Sequence, residues 1–265
     1  MRIGGTLGYA GIGALSSVIA LYQFNLGILL YVLVVIGEIL LLSKIPKALS
    51  ASEKRKKNEK GTGFRKLLSD KRIVILMVFS FFIYIMLDFY SSFFGIYLRE
   101  MTANKFLIGI SFSIAAISEI PFLLAAKKVE EKIGLPTMIA IALFVVGVRF
   151  LCYFLFHNVW AALVFQLLQG IGNSVILYSI VRFMFQIVSD EDKASGQALA
   201  AMTGQLGLPA VVATLLGGVL SSIFPIRQVF LMSSGAIFAI LILYLLFGIK
   251  ILKGGQCENS RSREK

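Results

Sequence analysis

Eight apolar runs divide this chain, at residues 4–22, 27–43, 73–98, 106–126, 136–156, 159–184, 194–222 and 227–252. A helix needs about 20 apolar residues to cross a hydrocarbon core of roughly 30 Å. Inside lipid the backbone has no water to bond, so only helices and closed barrels span it. Barrel strands are about ten residues long and alternate apolar with polar positions, and these continuous runs do neither. The expected fold is all-α, a polytopic membrane protein of about eight transmembrane helices. Composition agrees: 58% of the residues are hydrophobic, against about 45–50% in soluble domains.

The charges give the expected orientation. With the N-terminus in the cytoplasm, the inner segments and their flanks hold all but four of the 26 Lys and Arg residues. Arg99, Lys105 and Arg227 fall at outer turns, and Arg149 falls inside a span. This is the positive-inside pattern. It predicts a multi-pass protein of the cell (inner or plasma) membrane with both termini cytoplasmic and the lipid bilayer as its partner. The net charge of +12 then reflects orientation and anionic inner-leaflet lipid, and implies no nucleic acid. The expected organisation is two helices in 1–43, a basic cytoplasmic loop at 44–72, six helices in 73–252 and a cytoplasmic tail at 253–265. The loop carries the charge run Glu53–Lys60, which cannot form a core, then Phe64–Leu68, which has the pattern of a short amphipathic turn. Turns are expected at 127–135 and 185–193.

Asp88, Glu119 and Arg149 sit deep within apolar runs, where an Asp or Arg costs roughly 2.5–3.5 kcal/mol by insertion scales. Such residues pair with one another or line a watery path. Tyr84, Asp88, Ser91 and Ser92 follow helical spacing along one side. Asp88 can bind and release a proton, and pairing with Arg149 would make that depend on conformation. Glu119 has the same chemistry and precedes Pro121, which removes a backbone donor and loosens the helix. Arg149 keeps its proton and can serve as counter-ion to a carboxylate. For all three the alternative is a static polar contact between helices. Gln166, Gln169 and Asn173 share one face of their run and suit hydroxyl-rich or heterocyclic solutes, or bond neighbouring helices. Glu38 lies near the cytoplasmic end of its run and is expected to snorkel. The run 194–222 repeats small residues every four positions, including Gly196, Ala200 and Gly204, which favours close helix packing. No Walker loop, nucleophile elbow or metal-ligand spacing occurs, so no metal, cofactor or catalysis is expected.

Several segments resemble the major facilitator superfamily. Arg2-Ile3-Gly4-Gly5-Thr6-Leu7-Gly8-Tyr9 is similar to the Arg-x-Gly-Ser-x-Gly start of the fifth helix in the branch containing lactose permease and nucleoside and phenylpropionate proton symporters. Ser118-Glu119-Ile120-Pro121 resembles that branch's Glu-x-Pro in the eighth helix. Glu131-Lys132-Ile133-Gly134 resembles its gating turn between the eighth and ninth helices, with the charges kept but the Arg fork lost. Gln169 stands where sugar–proton carriers of this branch often have His. The resemblance implies a secondary carrier of a small organic solute, coupled to protons, with Asp88, Glu119 and Arg149 as the charge network. Tyr84, Ser91, Gln166, Gln169 and Asn173 would line the cavity. It also implies that the first four helices are lacking, so a complete cavity needs an N-terminal portion or a partner half. The alternatives are efflux by proton antiport, and a truncated or half-module membrane protein with no transport of its own.

Overall fold

The computed structural model describes residues 24–43, 67–102, 104–189, 192–204 and 207–249, with scattered positions in the first apolar run. The described residues are helical and contain no strand. In chain order the helices are α1 (Phe24–Ser43), α2 (Lys71–Met101), α3 (Lys105–Ile133), α4 (Leu135–Leu155), α5 (Val159–Ile187), α6 (Lys193–Met202), α7 (Leu208–Ile223) and α8 (Ile226–Gly248). Of these, α2, α3, α4, α5 and α8 are long and apolar enough to cross a membrane. The chain is a multi-pass, all-α membrane protein.

The helix starts follow the local chemistry. Asp70 accepts the Arg72 amide at 2.9 Å, Asn104 accepts that of Phe106 at 3.0 Å, and Asn158 accepts that of Trp160 at 2.8 Å. Each short polar side chain satisfies a donor that the first helical turn leaves free. Pro136 and Pro209 occupy the first turns of α4 and α7, where a missing N–H costs little.

Two expectations need correction. The turn expected at 127–135 is helical as far as Ile133, and Gly134 alone, at φ 75°, separates α3 from α4. That left-handed conformation favours glycine. The continuous run 194–222 is broken between α6 and α7. A Cβ at Gly207 would overlap the Met202 carbonyl, and one at Gly204 would lie 2.6 Å from the Ala200 carbonyl oxygen. At both positions the local backbone leaves no room for a side chain. Most of the first apolar run, most of the 44–72 loop, the Glu38 side chain and the 253–265 tail lie outside the described residues.

The largest helix contacts are α4 on α8, α7 on α2, α3 on the middle of α5, and α4 on α5. Gly217 admits the rings of Phe89 and Phe93 between α7 and α2. Tyr97, Phe150 and Tyr153 each meet the Phe230 ring edge to face, and Phe94 lies tilted against Tyr153, in the core joining α2, α4 and α8.

Candidate charge network

The polar interior centres on Arg149, which α4 holds at 0% exposure. Its guanidinium carbon lies 4.1 Å from the centre of the Tyr90 ring on α2, 5.3 Å from Phe150 and 5.8 Å from Tyr153. A cation over an aromatic face is stabilised by about 0.5–2 kcal/mol. Nη1 of Arg149 donates to Oε1 of Gln169 on α5. The Tyr90 hydroxyl donates to Gln166 Oε1 at 2.6 Å, and the Tyr153 hydroxyl to the same oxygen at 3.3 Å. Arg149, Gln166 and Gln169 therefore form one cluster, tied together by two tyrosines that the sequence reading passed over. Tyr153 stands four residues after Arg149, one helical turn away, and that spacing was the available signal.

Three buried donors of the cluster find no acceptor among the described residues: Nε and Nη2 of Arg149 and Nε2 of Gln166. An unsatisfied buried donor costs about 1–3 kcal/mol, and more when charged. Stability alone gives no reason to keep such groups.

The carboxylates are placed differently from one another. Glu119 on α3 accepts from Nδ2 of Asn173 on α5 at 2.6 Å, one helical turn from Gln169. Asp88 is 6% exposed, and its Oδ2 has no partner among the described residues. It precedes Tyr90 by two residues, so at 100° per residue it faces nearly the opposite side of α2. Tyr84, one turn before it, has its ring 3.4 Å from where a Gly204 Cβ would stand. Asp88 thus belongs to the side of α2 nearer the α6–α7 break, and Arg149 to the side facing α4 and α5. Among the described residues the ion pairs are Arg72–Asp70 and Arg182–Glu130, so the Asp88–Arg149 pair is not formed. Ser91 and Ser92 are exposed, and Ser91 bonds back to the Leu87 carbonyl at 3.1 Å. The polar side expected on α2 therefore splits, with Tyr84 and Asp88 buried and the two serines outside.

The amide face of α5 is shaped by glycine. The helix loosens at Gln166 and is π-helical over Gly170–Ser174, and such bulges are frequent at functional sites. A Cβ at Gly170 would overlap the Ser118 carbonyl of α3. The close approach brings Glu119, the residue after Ser118, within reach of Asn173.

At the far ends of α3 and α5 a second polar group appears. Glu130 accepts from the Tyr178 hydroxyl, from Arg182 Nε at 3.2 Å and from Gln186 Nε2 at 3.0 Å. Tyr178, Arg182 and Gln186 recur every four residues on one face of α5, a legible signal that was missed. Glu131 and Lys132, the residues expected at the gating turn, are both exposed, and Gly134 makes the sharp connection described above.

The model of the MFS_1 like family matches residues 1–232 of this sequence. The chain belongs to that family. It is 28% identical over 192 residues to the "Uncharacterized transporter YwbF" of Bacillus subtilis, covering 72% of this chain and 44% of that protein. It is 27% identical over 183 residues to the "Maltose permease" of Geobacillus stearothermophilus, covering 69% of this chain and 46% of that protein. This member of the MFS_1 like family spans less than half the length of either relative.

Proposed function

We propose that the chain forms part of a secondary carrier that moves a small organic solute by alternating access, driven by proton symport. Family membership supports transport, and major-facilitator folds rock one bundle against the other around a midplane site. The observation that carries the reading is the placement of Glu119: a carboxylate held by Asn173 at 2.6 Å, one turn of α5 from the Arg149–Gln169 contact. A carboxyl close to a fixed cation is held deprotonated, and it takes up a proton when the rocking of its helix carries it away from that cation. Glu119 carries the proton. Arg149 sets when it leaves, and Gln166, Gln169 and Asn173 contact the solute.

The location goes with this reading: a cell membrane, both termini cytoplasmic, and the Glu130–Arg182 group closing the inner side. Because the chain spans less than half of each relative, the complete pathway takes its other wall from further helices, in the same polypeptide or a partner half. Replacing Glu119 with Gln, in vesicles holding the protein with those helices, is expected to abolish solute-dependent proton movement while insertion into the membrane is unchanged. Unaltered coupling in that variant removes Glu119 from the role.

A further inference from the structure

We propose that the cluster of Arg149, Gln166 and Gln169 is a receptor for the carboxylate of an organic anion, so that the carried solute is an acid. This rests on the carrier reading and names the class of its substrate.

The donors are unbalanced in a specific way. Gln166 Oε1 is taken by the hydroxyls of Tyr90 and Tyr153, and Gln169 Oε1 by Arg149 Nη1. What the buried cluster still offers is Nε and Nη2 of Arg149 and Nε2 of Gln166, all N–H donors. Arg149 and Gln166 are both 0% exposed. A sugar or alcohol brings an O–H donor with every hydroxyl, and the N–H groups left open here give those donors nothing to bond. A carboxylate brings acceptors only.

The geometry narrows the choice further. Nε and Nη2 lie on one edge of the guanidinium and point their N–H bonds in parallel, the pair that meets both oxygens of a carboxylate at once. Nη1 is anchored to Gln169 and the face rests on Tyr90 at 4.1 Å from the ring centre, so the free edge is held in one orientation. A single-atom anion would use that fork poorly. The chain's own carboxylates do not fill it: Asp88 faces the other side of α2, and Glu119 is engaged by Asn173. The rings of Tyr90, Phe150 and Tyr153 pack against the cation and keep its surroundings apolar, which strengthens its pull on an anion. One such anion moving with one proton on Glu119 is an electroneutral load.

The test compares acids with their own amides, which have the same shape without the charge. Thermal unfolding of the full chain in detergent is followed with acetate, benzoate or 3-phenylpropanoate, and with acetamide, benzamide or 3-phenylpropanamide. Ligand binding to the folded state raises the unfolding temperature. At least one acid is expected to raise it while its amide does not. The shift should be lost in Arg149→Gln and weakened in Arg149→Lys, which keeps the charge but not the fork. The wild-type comparison stands even where a variant fails to fold. The inference is overturned if amides or maltose stabilise as well as acids, if sodium chloride at equal ionic strength does the same, or if no acid stabilises. A neutral solute that stabilises and moves protons leaves the carrier reading standing. An acid that binds yet never moves protons leaves the receptor standing and removes the coupling.

Discussion

The guanidinium of Arg149 lies 4.1 Å from the centre of the Tyr90 ring, and the hydroxyl of that ring anchors Gln166, one turn of α5 from Arg149's own partner Gln169. The cation is therefore positioned by an aromatic face and by amides. The two contributions can be separated. Tyr90→Phe keeps the ring and removes the 2.6 Å hydrogen bond, which should destabilise the protein by about 0.5–1.5 kcal/mol. Tyr90→Leu also removes the cation's aromatic support and should cost about 0.5–2 kcal/mol more. Thermal unfolding of the two variants in one detergent gives the difference. Equal losses would show that the ring adds nothing beyond its hydroxyl.

Gly170 and Gly218 provide a matched pair. A Cβ at Gly170 collides with backbone of α3, whereas one at Gly218 meets nothing within 4 Å. Gly170→Ala should destabilise by about 1–3 kcal/mol, as overpacking does, and should part Glu119 from Asn173. Gly218→Ala should be neutral or slightly stabilising, because alanine is the better helix former. Unfolding temperature and yield from membranes report both.

The Glu130 group predicts an asymmetry. Arg182 is half exposed while Glu130 is 12% exposed, so the ion pair itself should be worth at most about 1 kcal/mol. Arg182→Ala should therefore be mild. Glu130→Ala should cost more, since it also strips the acceptor from Tyr178 and Gln186. Denaturation of the two variants side by side tests the order.

Asp70 couples the start of α2 to pH. Its hydrogen bonds with the Arg72 side chain hold its carboxyl below the usual carboxylate range, outweighing its partial burial. A carboxylate depressed in the folded state contributes stability that is present above its unfolded pKa and lost as pH falls through the folded value. The first turn of α2 should accordingly loosen only as pH drops below about 4. Asp70→Asn, also a good cap, should remove that dependence, and Asp70→Ala should cost about 1 kcal/mol at neutral pH. Hydrogen exchange of the Arg72 and Ile73 amides measures it.

The span pattern was legible because hydrophobic length is a property of the sequence alone. Seven of the eight apolar runs fall on helices α1 to α8. The α6–α7 break escaped notice because the run 194–222 is continuously apolar, and the crowding that leaves no room for a Cβ at Gly207 is visible only in the folded backbone. At the site, Arg149, Gln166, Gln169, Asn173 and Glu119 were all visible as polar residues in apolar runs. Their partners were harder to read. Asp88 and Tyr90 are two residues apart, and which of them faces Arg149 depends on how α2 is rotated against α4, which helical periodicity leaves open. Glu130 and Glu131 are adjacent carboxylates, and packing against α5 selects the first.

The most direct test of the account is the protonation of Glu119 itself, read by infrared difference spectroscopy of the protein in lipid between alkaline and acidic pH. The account predicts a protonated-carboxyl band that appears on acidification, is missing in Glu119→Gln and persists in Asp88→Asn. A band unchanged by Glu119→Gln but abolished by Asp88→Asn would move the proton to the other side of α2 and contradict the coupling of Glu119 to Arg149.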